Sequence, residues 1–416
     1  MDHFQYQQDR LFCENVDLRD IAKAVGTPCY IYSHATLTRH ADVIDKAWEG
    51  IDHLTCYSVK ANSNHAVLSL LAGHGLGADV VSGGELFRAL RAGFPAGKIV
   101  YSGVAKTADE MRFALREGIL AFNVESAAEL VVLNRVAGEE RAVAPVSLRI
   151  NPDVNPETHP KISTGLRSAK FGIPHEDARA VYGQAANMEW VRVLGIDAHI
   201  GSSLQSVKPF VDAAKRLVHL VEDVRGDGVE ISMIDIGGGL GITYDTEEPP
   251  SPLDWSGAVA EVLSGAGLKI ITEPGRSVVG NAGILLTRAL YRKQNGDKNF
   301  VIVDSGMNDL VRPAMYDSYH KIVPVLTRGN DDITADIVGP ICETGDVFAH
   351  DRTIEAPEQG DLLAVLSAGA YGYTMSSSYN SRPRVAEVMV KDDTWQVVRD
   401  RETWDDLVRG ERAFTL

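Results

Sequence analysis

The segment His53–Asn62, HLTCYSVKAN, carries a lysine where a lysine is hard to explain as structure alone. If the run is a strand, Leu54, Cys56, Ser58 and Lys60 fall on one face, and Lys60 points inward. The small residues Ala61, Asn62 and Ser63 follow, then an apolar helical stretch from His65 to His74, so the amine sits at the C-terminal end of a strand in a βα unit. A lysine amine in a protected setting attacks carbonyls and holds them covalently. Far downstream stand three further groups with chemistry: His199 and Ser202 in HIGSS, the glycines Gly237, Gly238 and Gly239 in DIGGGLG, and Glu273, Gly275 and Arg276 in EPGR. Consecutive glycines after a strand let backbone N–H groups approach a phosphate.

The elements that must position these residues alternate. Strand-like runs are expected at 55–59, 77–81, 98–102, 121–124, 146–150, 194–198, 232–236 and 269–272, with amphipathic helical stretches between them. Eight βα alternations in about 250 residues fit a (β/α)₈ TIM-type barrel better than an open doubly wound sheet. Each unusual residue falls just past a strand: Lys60, Ser82, Ser102, Glu125, Asn151, His199, Gly237 and Glu273. That is the face on which barrels carry active sites. After Asn281 period-two runs take over, at 284–291, 300–304, 334–338, 361–366, 385–390 and 394–398. A mainly β domain of barrel- or sandwich-like build is expected there. The domain reading is therefore 29–281 for the barrel, and 1–28 plus 282–416 for the β domain, whose loops 307–320 and 339–346 are dense in polar residues.

A lysine and a phosphate site at one barrel face suggest a sugar-phosphate Schiff-base lyase or pyridoxal phosphate carried on the lysine. Pyridoxal phosphate needs a carboxylate for its ring nitrogen and a flat group against its ring, and Glu273 and His199 are of those types.

Composition limits the rivals. A formal net charge of −16 and the lack of a basic run argue against nucleic-acid binding. Cys13, Cys29, Cys56 and Cys342 show neither a CxxC nor a metal-ligand spacing, so reduced thiols in a cytoplasmic protein and no metal site are expected. The polar start MDHFQYQQDR is unlike a signal peptide, no apolar run is long enough to span a membrane, and the mature protein is expected to be the chain as given.

YSVKAN, the His159–Ile173 stretch with ISTG and KFGI, HIGSS, DIGGGLG, EPGR, RPAMY, CETGD and GAYGYTMSSSYNSRPR together resemble the bacterial diaminopimelate decarboxylases, over nearly the whole chain and in order. YSVKAN and EPGR recur across the alanine-racemase-like class of pyridoxal-phosphate enzymes, whereas RPAMY and CETGD are more specific. Thr344 stands where that family usually has serine, which keeps the hydroxyl. The resemblance implies decarboxylation of meso-2,6-diaminopimelate to L-lysine and CO₂, the last step of lysine biosynthesis, with pyridoxal phosphate as cofactor. It implies that Lys60 carries the cofactor, His199 stacks on its ring, and Glu273 pairs with its nitrogen. Ser202, the Gly237–Gly239 turn, Gly275, Arg276 and Tyr371 would hold its phosphate. Arg276, Arg312, Tyr316, Glu343 and Tyr371 would bind substrate: guanidinium forks suit a carboxylate and Glu343 suits an ammonium. Cys342 resembles the group that returns a proton to carbon. A homodimer with shared sites is implied, the CETGD loop of one chain entering the site of the other. Decarboxylation of another basic amino acid or a carboxylated polyamine, a racemase, and a regulator that has lost catalysis remain as rival readings; intact Lys60, Glu273 and Cys342 speak against the last.

Overall fold

The structure is a computed structural model that describes residues 2–154 and 169–414. The His159–Gly165 part of the ISTG motif lies outside the described residues. Two compact units are present: residues 38–243 with 247–278, and residues 1–37, 244–246 and 279–416.

The first unit is the expected barrel. Its strands are His53–Ser58, Gly77–Val80, Ile99–Tyr101, Ala121–Val124, Ala144–Asn151, Val191–Asp197, Met233–Asp235 and Lys269–Thr272. Each pairs in parallel with the next, and the last pairs with the first, which closes the cylinder. The helices start where the strand-end loops supply caps. Ser82, Thr107, Ser126 and Ser251 each accept the backbone N–H three residues on, with full capping boxes at Thr107/Glu110 and Ser251/Asp254. Gly93 and Gly118 end two of them in the left-handed conformation.

Inside the barrel two layers alternate with the strand pleat. Cys56, Val100, Ala121, Met233 and Ile271 form an apolar layer. Gly77 and Gly195 complete it, since a Cβ there would stand 2.9 Å from Cys56 Sγ and 2.5 Å from Met233 Cγ. Two residues further along every strand the side chain is polar and buried: Ser58, Asp79, Ser102, Asn123, Arg149, Asp197, Asp235 and Glu273. The barrel thus has an apolar floor beneath a polar deck.

The second unit is built on one sheet, ordered Val347–Glu355, Asp332–Val338, Lys298–Val303, Gly283–Asn295, Cys29–Ser33, Ala386–Lys391 and Thr394–Arg399. The short strands Ile322–Pro324 and Leu362–Val365 pair with each other, and the latter with Gly283–Asn295. A three-stranded meander over residues 4–17 and the helix Leu18–Val25 add Leu11, Leu18 and Ile21 to its core with Ile31, Ile284, Leu286 and Val388. Residues 29–37, which the alternation assigned to the barrel, belong here. The reason is pairing: Cys29–Ser33 lies between Gly283–Asn295 and Ala386–Lys391 and is buried along its whole length. Strands Val347–Glu355 and Ile322–Pro324 escaped the periodicity, the first because His350, Asp351 and Arg352 interrupt its alternation.

Candidate active site

Lys60 lies just past the first barrel strand, as expected. The first strand stops at Ser58 and Val59–Ala61 form a 3₁₀ turn. The side chain still reaches the barrel interior, where Lys60 Nζ donates to Asp79 Oδ2 at 2.6 Å. Asp79 also accepts from Ser58 Oγ at 2.8 Å. Burial works to raise the Asp79 pKa, but the Lys60 charge and these hydrogen bonds outweigh it and hold the carboxyl below its ordinary value.

His199, after the sixth strand, is half-buried and takes the Gly238 N–H on Nδ1 at 3.2 Å. Burial, then the charges of Lys60 and Arg149, push its pKa down to about 3, so the imidazole is neutral with its proton on Nε2. The Gly237–Gly239 turn is packed too closely for side chains: a Cβ at Gly238 would be 2.0 Å from the Glu273 carbonyl oxygen and one at Gly239 2.3 Å from that of Gly201. Gly237 and Gly239 take φ of +66° and +116°, which favours glycine. Gly237 N–H donates to Asp235 Oδ1 at 2.9 Å, so the amides of Gly237 and Gly238 serve Asp235 and His199.

Glu273 accepts from Ser102 Oγ at 3.2 Å and from the Asn123 amide at 3.4 Å. Burial, followed by repulsion from Asp79, raises its pKa to about 7. Arg276 is buried after Gly275 at the start of the short helix Arg276–Val279, and donates to Ser202 Oγ at 3.0 Å. Lys60, His199, Ser202, the glycine turn, Glu273, Gly275 and Arg276 are thus gathered in one unit. Asp79, Asn123, Arg149, Asp197 and Asp235 were missed. Their signal was there: each is one polar residue set between apolar neighbours on a strand, as in Ala78-Asp79-Val80 and Ile234-Asp235-Ile236.

The remaining candidates lie in the β unit. Buried Arg312 opens the helix Arg312–Tyr316 and donates to Tyr244 Oη at 2.7 Å, His320 Nε2 at 3.1 Å and Ser318 Oγ at 3.3 Å. Its guanidinium also stacks on Tyr244, 4.8 Å from the ring centre. His320 accepts on Nε2, so its proton is on Nδ1, which donates to the Leu366 carbonyl at 2.9 Å. Tyr316 is half-buried at the end of that helix, and Tyr371 is half-buried with φ +55°. Cys342 and Glu343 are both exposed. The Cys342 N–H donates to Asn380 Oδ1 at 2.8 Å, and the Tyr379 hydroxyl bonds the Glu343 carboxylate, which ties the CETGD loop to SSSYNSR.

The donor set of the barrel fits pyridoxal phosphate. It offers an amine for the aldehyde carbon, a buried carboxylate for the ring nitrogen, an uncharged imidazole for the ring face, and a glycine turn with Ser202 and Arg276 for the phosphate. Residues 34–280 match the family described as pyridoxal-dependent decarboxylase, pyridoxal binding domain. A diaminopimelate decarboxylase from Pseudomonas aeruginosa is 51% identical over 411 residues, 99% of each chain. One from Vibrio cholerae is 50% identical over 98% of each. The crystal structure of the M. jannaschii enzyme in co-complex with L-lysine superposes with a TM-score of 0.95 at 37% identity, covering 99% of this chain and 98% of that one. By its sequence over essentially full length, and by the fold beneath it, the chain belongs to the diaminopimelate decarboxylase family of pyridoxal-phosphate enzymes.

Proposed function

We infer that this protein decarboxylates meso-2,6-diaminopimelate to L-lysine and CO₂ with pyridoxal phosphate, as the last step of lysine biosynthesis. What carries the reading is full-length identity near one half with enzymes of that name, joined to a barrel interior in which an amine, a neutral imidazole and a buried carboxylate face one polar deck. In the overall reaction one bond from the α-carbon to a carboxylate breaks, CO₂ leaves, and a proton takes its place on carbon. The cofactor, when bound, supplies the electron sink for that bond's pair.

The chain's own residues do the rest. Lys60 would hold the cofactor through its amine. Glu273 would pair with the ring nitrogen, and His199, being uncharged, would lie against the ring without opposing its positive charge. Ser202, the Gly237–Gly239 turn, Gly275, Arg276 and Tyr371 would hold its phosphate. Arg276, Arg312, Tyr316 and Tyr371 bind substrate carboxylate, and Glu343 the distal ammonium. Cys342 delivers the proton.

Cys342 and Glu343 stand exposed on a β-unit loop. This supports a homodimer in which that loop completes the partner's site. A net charge of −16 supports the absence of nucleic-acid partners. Among the described residues no helix is long and apolar enough to cross a membrane. The four cysteines are unpaired, which supports a cytoplasmic location.

The test is product analysis with purified protein, pyridoxal phosphate and meso-diaminopimelate. Stoichiometric L-lysine and CO₂ are expected, with L-lysine and L-ornithine themselves poor substrates. Efficient turnover of either would favour a basic-amino-acid decarboxylase instead.

A further inference from the structure

The polar deck holds more acid than its cations neutralise. Carboxylate oxygens of Asp197, Asp235 and Glu273 all lie within 4.8 Å of one another, and all three residues are buried. Like charges that close in a dry interior do not all ionise. The charged groups around them are Arg149, Lys60, Asp79 and Glu125, with His199 neutral. Arg149 is engaged by Glu125 at 2.8 Å and stands 3.9 Å from Asp197. Lys60 is engaged by Asp79. Neither cation forms an ion pair with Asp235 or Glu273, so the pair needs a proton.

Each acid accepts from two donors, Glu273 from Ser102 Oγ and the Asn123 amide, Asp235 from the Gly237 N–H and the same amide, so the proton between them bridges carboxyl to carboxyl. The Asn123 nitrogen spans both acids, 3.4 Å from Asp235 Oδ2 and 3.4 Å from Glu273 Oε1. Asp235 takes the Gly237 N–H on Oδ1 and hydrogen-bonds the Glu273 carboxyl. We propose that Asp235 is a positioning residue: it carries a proton, donates it as a hydrogen bond to Glu273, and so keeps Glu273 ionised for the ring nitrogen of the cofactor. Burial raises the pKa of Asp235 well above its ordinary value, in keeping with this. Through Gly237, the same carboxyl links the ring-nitrogen site to the glycine turn. The proposal rests on the reading that Glu273 pairs with that nitrogen.

The isostere decides the matter. In Asp235→Asn the amide oxygen can still accept from Gly237 and the NH₂ can still donate to Glu273, whereas Asp235→Ala loses both. Cofactor affinity, measured by equilibrium titration, should stay within about threefold of the parent in Asp235→Asn and fall about tenfold or more in Asp235→Ala. Infrared spectra of cofactor-free protein at about pH 8 should show a protonated-carboxyl band that loses intensity in Asp235→Asn. An unchanged band, or an Asp235→Asn variant as weak as Asp235→Ala, would overturn the proposal. Should Asp235→Ala not fold, the infrared comparison of parent and Asp235→Asn still gives the answer. Glu273→Gln separates the two readings: if it leaves cofactor affinity and absorbance unchanged, the ring-nitrogen assignment fails, while the infrared result still places or removes the proton on Asp235.

Discussion

The Lys60 ammonium and the Asp79 carboxylate meet at 2.6 Å, the first about a third exposed and the second with no exposure at all. A buried partner of this kind keeps the amine in one place and aimed into the barrel. Lys60→Ala is therefore expected to abolish turnover and the borohydride-trappable bond to the cofactor, with peptide mapping of the reduced parent placing the adduct on Lys60. Lys106 is no substitute: its side chain is 1% exposed and its Nζ donates to Glu129 and to the carbonyls of Gly103 and Asn123. An adduct on Lys106 or Lys170 would show the wrong lysine has been chosen.

Glu273 sets a pH dependence whose sign can be worked out. Its folded pKa, raised from 4.5 to about 7, means the folded protein holds a proton that the unfolded chain releases earlier. Its contribution to stability is fully present below pH 4.5 and is lost as pH rises to about 7. In cofactor-free protein, the decline in Tm between those values should be shallower in Glu273→Gln than in the parent. Parallel curves would mean that Glu273 does not titrate there.

Two glycines give opposite outcomes for the same substitution. Gly238→Ala drives a Cβ to 2.0 Å from a backbone carbonyl, where nothing flexible can yield, and should cost about 3 kcal/mol or more along with cofactor affinity. Gly257→Ala, in the helix Pro252–Leu263 with no atom within 4 Å of the new Cβ, should stabilise by about 0.5–1 kcal/mol. Thermal melts of both variants check the pair.

Shared sites predict complementation. Lys60→Ala and Cys342→Ala homodimers should each be severely impaired, but mixing after dissociation makes about half the dimers mixed, each with one site intact, so activity should approach about a quarter of native. Persistent inactivity despite proven subunit exchange would place both residues in one chain.

The barrel was legible because each strand is a short apolar, β-branched run bounded by a turn, and helix caps such as Thr107/Glu110 are written in sequence. The polar deck was not. A single Asp79 or Asn123 between apolar neighbours reads like an outward-facing position, and only closure of the cylinder brings Ser58, Asp79, Asn123, Asp235 and Glu273 to one level. Lys60 was expected just past the first strand and lies there, two residues beyond Ser58. The membership of Cys29–Ser33 was hidden because its partners lie far along the chain, beyond the reach of any local pattern.

That distant pairing has a consequence for how the protein is made. Cys29–Ser33 leaves the ribosome early, yet the strands that flank it, Gly283–Asn295 and Ala386–Lys391, follow only after the whole barrel. At about 5–20 residues per second the wait is on the order of tens of seconds. During it the nascent chain holds an apolar strand, Cys-Tyr-Ile-Tyr-Ser, with both edges unsatisfied. The barrel can assemble in that interval, and one edge of Cys29–Ser33 stays open longer still, until Ala386–Lys391 emerges after Gly283–Asn295, so exposure to chaperones and to misassociation outlasts completion of the barrel.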